Sequence, residues 1–397
     1  VKGAAAATPM LSGLGAWFGR GLAAGLDRVL ALRDRLLQSE RFRRSAAAFP
    51  LTRPVAHRRT RALFDLCAGF VYSQVLFACV ELRLFALLAE GPLPLPQLAA
   101  RLGLPAEGAA RLLAAATALK LVERRRGDRY GLGPLGAAIV NNGAITAMVE
   151  HHAMLYADLA DPVALLRGER ADTALSRFWP YARESGRTAL PADRIAAYSA
   201  LMAASLPLIA GDILAAHPLK SYRCLLDVGG GEGVFATAAA KAVPHLRVIV
   251  FDLPAVAERA RARFAAAGLS ERASAVGGDF HLDPLPAEAD VISLVRVTHD
   301  HGDAAALALL RKVRAALPSG GRLLLAEPMA GTAGAEPVGD AYFGFYLLAM
   351  GSGRPRTAEE YQTLLAAAGF ARPRLVATRQ PLLTRLIVAD AALQQEV

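Results

Sequence analysis

Carboxylates, glycines and a histidine stand at the ends of successive apolar runs in the second half of this chain. The stretch 225–235 reads LLDVGGGEGVF: an apolar run stops at Asp227, and Gly229, Gly230, Gly231 and Gly233 follow within six residues. A bare turn between a strand and a helix lets a ligand approach the backbone at the helix N-terminus. The dinucleotide pattern would need glycine or alanine where Val234 stands, and there is no Lys-Ser/Thr pair for a phosphate loop. A carboxylate ahead of the glycines suits a ligand with an ammonium group and no pyrophosphate; S-adenosylmethionine is such a ligand. Asp252 closes the next apolar run, 23 residues after Gly229, where an acid can accept hydrogen bonds from both ribose hydroxyls. Asp279 and Phe280 close the third run, placed to bind an adenine amino group and to pack on its ring. Each acid alone reads as well as a helix cap or a solvated loop residue; the ordered set carries the ligand.

The fourth run is DVISLVRVTHDHGD. His299 falls just past it, on the sheet edge where ligands bind. A neutral imidazole there can take a proton from a substrate hydroxyl as its oxygen attacks the sulfonium methyl. The sulfonium is already activated, so no metal is required. His301 competes for the role, but His299 follows the strand more directly. Glu327, at the end of RLLLAEP, emerges from the next strand on the same edge and can hold the imidazole in one tautomer. Its bland alternative is an ordinary carboxylate at a strand end.

These residues need a frame. Over 221–397, the strand-like runs CLLDV, LRVIVF, ASAVGG, DVISLV and RLLLAE alternate with helical patterns at 233–243, 254–267, 303–317 and 357–369. This order predicts a doubly wound, mainly parallel α/β sheet, with RLVAT and RLIVAD completing one edge. Residues 61–140 read as helices followed by a hairpin turning at Gly127-Asp128, the order of a winged helix-turn-helix. Its second helix, 105–119, offers only Arg111 among alanines and leucines, which predicts packing and not nucleic-acid binding. Residues 146–220 look helical, and Met154, Phe178 and Met202 there, with Tyr346 and Met350 later, are expected to line an apolar acceptor pocket. The expected divisions are a basic helical extension (1–60), a winged-helix dimerisation domain (61–145), a helical connector (146–205) and a ligand-binding α/β domain (206–397).

The net charge of +10 is concentrated at the start: residues 1–60 hold eleven Lys/Arg against three acids. A nearly neutral remainder argues against a general nucleic-acid surface. Residues 14–37 can form a basic amphipathic helix, suited either to an anionic membrane surface or to packing on protein. The apolar stretch 66–80, bounded by Asp65 and Glu81, reads as too short to span a bilayer. The start lacks Met, which points to processing or engineering, and shows no secretory pattern. Three scattered cysteines, Cys67, Cys79 and Cys224, fit a reducing, cytoplasmic compartment and no zinc spacing.

Taken together, LLDVGGGEG, VFDLP, GGDF, RVTHDHGD, LLLAEP and GRPRTAEEYQTLLAAAGF resemble the O-methyltransferase family that includes caffeate, flavonoid and acetylserotonin enzymes. The resemblance implies a Rossmann-like class I methyltransferase domain preceded by a winged-helix dimerisation domain, and a homodimer. It implies S-adenosylmethionine contacts at Gly229, Asp252, Asp279, Phe280 and Arg296, beside the expected contacts of Asp227 and Gly231 in the glycine turn, with His299 as base beside Glu327. Plant members carry a second acid before the Arg-Thr pair, where this chain has Pro355. The stretches FPLTRPVAHRRTRALFDLCAGFVYSQVLFACVELRLFALL and AMGSGRPRT are similar to bacterial carotenoid O-methyltransferases, of the demethylspheroidene or hydroxyneurosporene type. That similarity implies a tertiary hydroxyl at the end of a long polyene as acceptor, and gives the basic N-terminal helix a purpose at the bilayer surface.

Overall fold

The computed structural model describes residues 25–179 and 192–392. The expected helix at 14–37 lies partly outside the described residues; what is described of it is a helix over 25–38. The chain divides between Ala78 and Cys79 into two compact units. The first holds helices 25–38 and Glu40–Ala48 and most of a 29-residue helix, Arg53–Glu81.

That long helix differs from the expected 66–80 segment. Asp65 lies inside it, because a charged residue facing solvent does not interrupt a helical hydrogen-bond ladder. By length and composition it could cross a bilayer, with a mean hydropathy of 1.8 over 18 residues; Ser199–Ala216 also passes, at 1.7. The second is an ordinary packing helix, since Ile209, Ala210 and Ile213 are buried in the core.

The second unit begins with the expected winged arrangement. Helices Leu95–Leu102 and Ala106–Ala118 follow β1 (Leu93–Pro94) and precede β2 (Val122–Arg125) and β3 (Arg129–Leu132); the three strands form a small sheet in the order β1-β3-β2. The first of these helices stops at Gly103 (φ 66°), where the Leu104 amide donates back to the Ala99 carbonyl.

The larger sheet has seven strands: β4 (Cys224–Val228), β5 (Arg247–Asp252), β6 (Ala273–Gly277), β7 (Val291–Val295), β8 (Arg322–Glu327), β9 (Phe370–Val376) and β10 (Arg385–Ala391). Their order is β6-β5-β4-β7-β8-β10-β9. β4 to β8 are parallel, and β10 runs antiparallel between β8 and β9. Apolar side chains of β4 alternate between two cores: Leu226 and Val228 face one, Leu225 the other. A sheet covered on both faces needs such unbroken apolar runs, which is why these strands were readable. The strand order reverses at β4, so a crevice opens at the carboxyl ends of β4 and β7.

Candidate active site

Two clefts meet at this crevice. The first, open to solvent, spans about 750 Å³ and is walled by Asp227, Gly229–Gly231, Asp252, Phe280, Arg296 and Val297, among others. The second encloses about 400 Å³ and is walled by Met148, His151, Trp179, His299, Tyr342, Phe343 and Tyr346, among others. Met202, Arg296 and Asp300 line both.

The glycine turn leaves β4 with Gly229 at φ 66°, its amide donating to the Phe251 carbonyl (2.8 Å). A Cβ at this position would lie 2.8 Å from the Val297 side chain, so only glycine fits without displacement. Asp252 is locked at the floor: its carboxylate accepts from the Gly231 amide (2.8 Å) and the Leu253 amide (2.7 Å). Asp227 is almost fully buried. One oxygen accepts from Ser293 Oγ (2.6 Å), and the other has no hydrogen-bond partner among the described residues. Burial pushes its carboxyl up to about 7, against the pull of the Ser293 hydrogen bond. An unpartnered carboxylate oxygen, a bare backbone turn and the Phe280 ring fit a nucleoside that carries a cationic end. Asp279 is placed differently from the expectation: it does not line the cleft, and its carboxylate accepts from the His281 amide (2.8 Å) within its own turn.

His299 sits in a short 3₁₀ turn, Thr298–Asp300, just beyond β7. Its Nδ1 lies 2.5 Å from Glu327 Oε2. The other Glu327 oxygen accepts from the Val297 amide (3.0 Å), the Thr298 amide (2.7 Å) and Thr298 Oγ1 (2.6 Å). Burial raises the Glu327 carboxyl, but His299 and the Thr298 hydrogen bonds outweigh it and hold it below the usual range. An ionised Glu327 can only accept, so the Nδ1 proton stays on the ring and Nε2 keeps its lone pair. Burial lowers the His299 ionisation, yet Asp300 and Glu327 together raise it above its ordinary value. Asp300 Oδ1 stands 3.1 Å from Nε2 without aligning as a hydrogen bond, and burial pushes its carboxyl up to about 7. Of the two competing histidines, only His299 meets Glu327; the His301 ring packs edge-on against Phe280 (5.5 Å).

Met202 and Tyr346 line the second cleft as expected, whereas Met154, Phe178 and Met350 do not. Met350 is fully buried in the packing beneath, and the Phe178 ring packs against the His151 ring (5.1 Å). Sequence patterning does not single out His151, Tyr342, Phe343 or Asp300. His151 Nε2 meets the Tyr346 hydroxyl (2.8 Å) and His152 Nε2 the Tyr342 hydroxyl (2.9 Å). Burial, with His152 adding to it, drives the His151 ionisation down to about 4, so that ring is neutral. These pairs join residues 195 and 190 positions apart, and no local signal announces them.

The fold and crevice define a class, and sequence comparison agrees: residues 156–371 match the O-methyltransferase domain and residues 64–142 the O-methyltransferase dimerisation domain. The chain belongs to the O-methyltransferase family and is an S-adenosylmethionine-dependent O-methyltransferase. It is 45% identical to demethylspheroidene O-methyltransferase of Cereibacter sphaeroides, over 92% of this chain and 95% of that protein. It is 39% identical to acetylserotonin O-methyltransferase of Mus musculus molossinus, over 82% of this chain and 87% of that one. The crystal structure of human N-acetylserotonin methyltransferase in complex with SAM superposes with a TM-score of 0.72 at 28% identity, covering 84% of this chain and 98% of that one.

Proposed function

We propose that this enzyme methylates the tertiary 1-hydroxyl of a carotenoid, with His299 as general base and Glu327 as its orienting carboxylate. The observation that carries the base assignment is the 2.5 Å contact between Glu327 and Nδ1 of His299, a residue in the wall of the second cleft. Asp227, Gly229, Gly231, Asp252, Phe280 and Arg296 would hold the cofactor in the first cleft, and Asp279 is proposed to act through the turn that carries Phe280. Bound there, the cofactor supplies a methyl group on positively charged sulfur. Asp252 would accept from the ribose hydroxyls, and the free oxygen of Asp227 would offset positive charge at the amino-acid end. Met202 and Tyr346, with Tyr342 and Phe343, flank the acceptor. His299 Nε2 takes the hydroxyl proton as the acceptor oxygen attacks, since a tertiary alcohol is too weakly acidic to ionise first. Glu327 stabilises the imidazolium that results.

The carotenoid acceptor is supported by the 45% identity to demethylspheroidene O-methyltransferase along nearly the whole chain. The acetylserotonin relatives keep a small phenolic acceptor as the second reading. Incubation with labelled S-adenosylmethionine separates them: label is expected in a 1-hydroxycarotenoid presented in detergent. Label in a simple phenol and none in the carotenoid would reassign the acceptor.

The domain divisions proposed are the extension 1–60, the dimerisation domain 61–145, the connector 146–205 and the methyltransferase domain 206–397. In the long helix Leu63, Phe64, Leu66 and Phe70 are all exposed, and we assign their cover to the second subunit of a homodimer, supported by the match to the dimerisation domain. Residues 25–61 carry ten arginines against three acids, with Leu26, Val29, Leu32 and Phe49 exposed beside them. Arginine and apolar side chains side by side suit the interface of an anionic bilayer, and this is the peripheral contact we propose, on the cytoplasmic side. Arg41→Glu, Arg43→Glu and Arg44→Glu together are expected to abolish co-sedimentation with anionic vesicles and leave cofactor affinity intact. Undiminished sedimentation would return the segment to protein packing.

A further inference from the structure

Four consecutive backbone carbonyls around the base are held by one short stretch, residues 352–356. The Arg356 side chain is fully buried. Its Nη1 donates to the Thr298 carbonyl (2.8 Å), its Nη2 to the His301 carbonyl (2.7 Å) and its Nε to Asp303 Oδ1 (2.9 Å). The Arg354 amide donates to the His299 carbonyl (3.0 Å), and Ser352 Oγ to the Asp300 carbonyl (2.6 Å). Between them Gly353 (φ 78°) lies so close that a Cβ would stand 2.1 Å from the His299 carbonyl oxygen. The Arg356 guanidinium also lies over the Tyr361 ring (5.8 Å). The Tyr361 hydroxyl is 3.3 Å from Thr298 Oγ1, which donates to Glu327.

A buried arginine is costly unless its donors are used, and this planar fork meets two carbonyls and a carboxylate at once. A three-residue 3₁₀ turn has weak internal hydrogen bonds and does not fix its own orientation. In this chain Pro355 stands where plant members of the resembled family carry a second acid before the Arg-Thr pair. We propose that Arg356, helped by Ser352 and the backbone of Gly353 and Arg354, is the positioning residue for His299, acting through the carbonyls of 298–301. The proposal rests on His299 being the base. Arg356 is a positioning residue because, among the described residues, its hydrogen bonds go to the turn's backbone and to Asp303 and not to the imidazole.

The test compares Arg356→Met, Arg356→Lys, Ser352→Ala and His299→Gln in the full-length enzyme. Turnover, both KM values, pH profile, S-adenosylhomocysteine affinity and thermal midpoint are measured for each. Arg356→Met is expected to lower kcat on the order of 10²-fold, because misplacement of a catalytic group by about 1 Å has that effect. Both KM values and product affinity should stay within about threefold, the signature of a defect confined to the chemical step. The groups facing His299 are Glu327 and Asp300, which raise its ionisation, and Arg296, which lowers it. As the turn loosens, the ring leaves the two carboxylates, and the acid limb of the profile should move toward lower pH. Lysine, able to serve one carbonyl as a point donor, should recover part of the loss. Ser352→Ala removes one hydroxyl at a half-buried position and should lower kcat about fivefold without a change in thermal midpoint, so it decides the matter if Arg356→Met does not fold. Folded variants with wild-type turnover, or losses that track thermal midpoint while the acid limb stays put, overturn the proposal. If His299→Gln keeps full turnover, the base assignment falls and the proposal with it. If His299→Gln is inactive but Arg356→Met and Ser352→Ala are normal, only the positioning role falls.

Discussion

Replacing His299 by glutamine is expected to cut turnover by on the order of 10³-fold, with S-adenosylhomocysteine affinity near that of the wild type. Glutamine keeps a polar group near Glu327 but has no basic nitrogen to accept the hydroxyl proton. An alkanol gains little acidity from its surroundings until it begins to bond to carbon, so the loss should be larger than for a phenol, which ionises more readily. The wild-type pH profile carries a second signature. The working form of the base is the neutral ring, and Asp300 and Glu327 favour the charged one despite burial. Activity should therefore rise with pH through a value above 6.5, the unperturbed position for histidine, and the variant's residual rate should lack that limb. A variant that keeps full turnover, or a wild-type profile flat from pH 5 to pH 8 with the chemical step limiting (roughly the window of histidine titration), removes His299 from the reaction.

Asp252→Asn is expected to weaken S-adenosylhomocysteine binding on the order of 10²-fold, since hydrogen bonds to a charged acceptor contribute about 1.5–3 kcal/mol each. The wild-type carboxylate anchors the Gly231 and Leu253 amides as well as facing the cleft. Asparagine retains one accepting oxygen and turns a donor toward one of those amides. Binding should fall while the sheet, whose core lies behind β5, keeps its thermal midpoint within a few degrees. Calorimetric titration reads the affinity directly; an unchanged dissociation constant would place the ribose elsewhere.

Much of this was legible from the chain alone, for a physical reason. A strand buried on both faces must be apolar throughout, so β4, β5, β7 and β8 stand out, and the residues at or just past their carboxyl ends, Gly229, Asp252, His299 and Glu327, are placed by topology. Asp279 shows the limit of that logic. Its strand was found, but the loop after it folds back, with the Asp279 amide donating to Asp283 and its carboxylate taken by His281. The acceptor pocket was read less well, because helix Gly143–Asp158 and helix Phe343–Met350 bring their side chains together only in three dimensions. Met350 has the composition of a pocket residue and the environment of a core one. Arg356 stood in a stretch notable for a missing acid, and nothing in its neighbours told that it would be fully buried.

The parallel pairing of β7 with β8 sets Val295 opposite Ala326. Glu327 directly follows that rung as the last residue of β8, whereas His299 lies beyond β7 in the turn that Arg356 holds; the regular pitch of neighbouring strands, about 4.8 Å, brings the two segments side by side, and the turn aims the ring. A sheet serves here as a gauge block: it cannot be retuned without dismantling the molecule, and it is indifferent to what is being methylated. Change of diet must then be written elsewhere, in the helical walls that supply Met148, His151, Tyr342 and Tyr346. Such a division of labour lets one chassis accept new cargo while its proton-handling couple stays untouched.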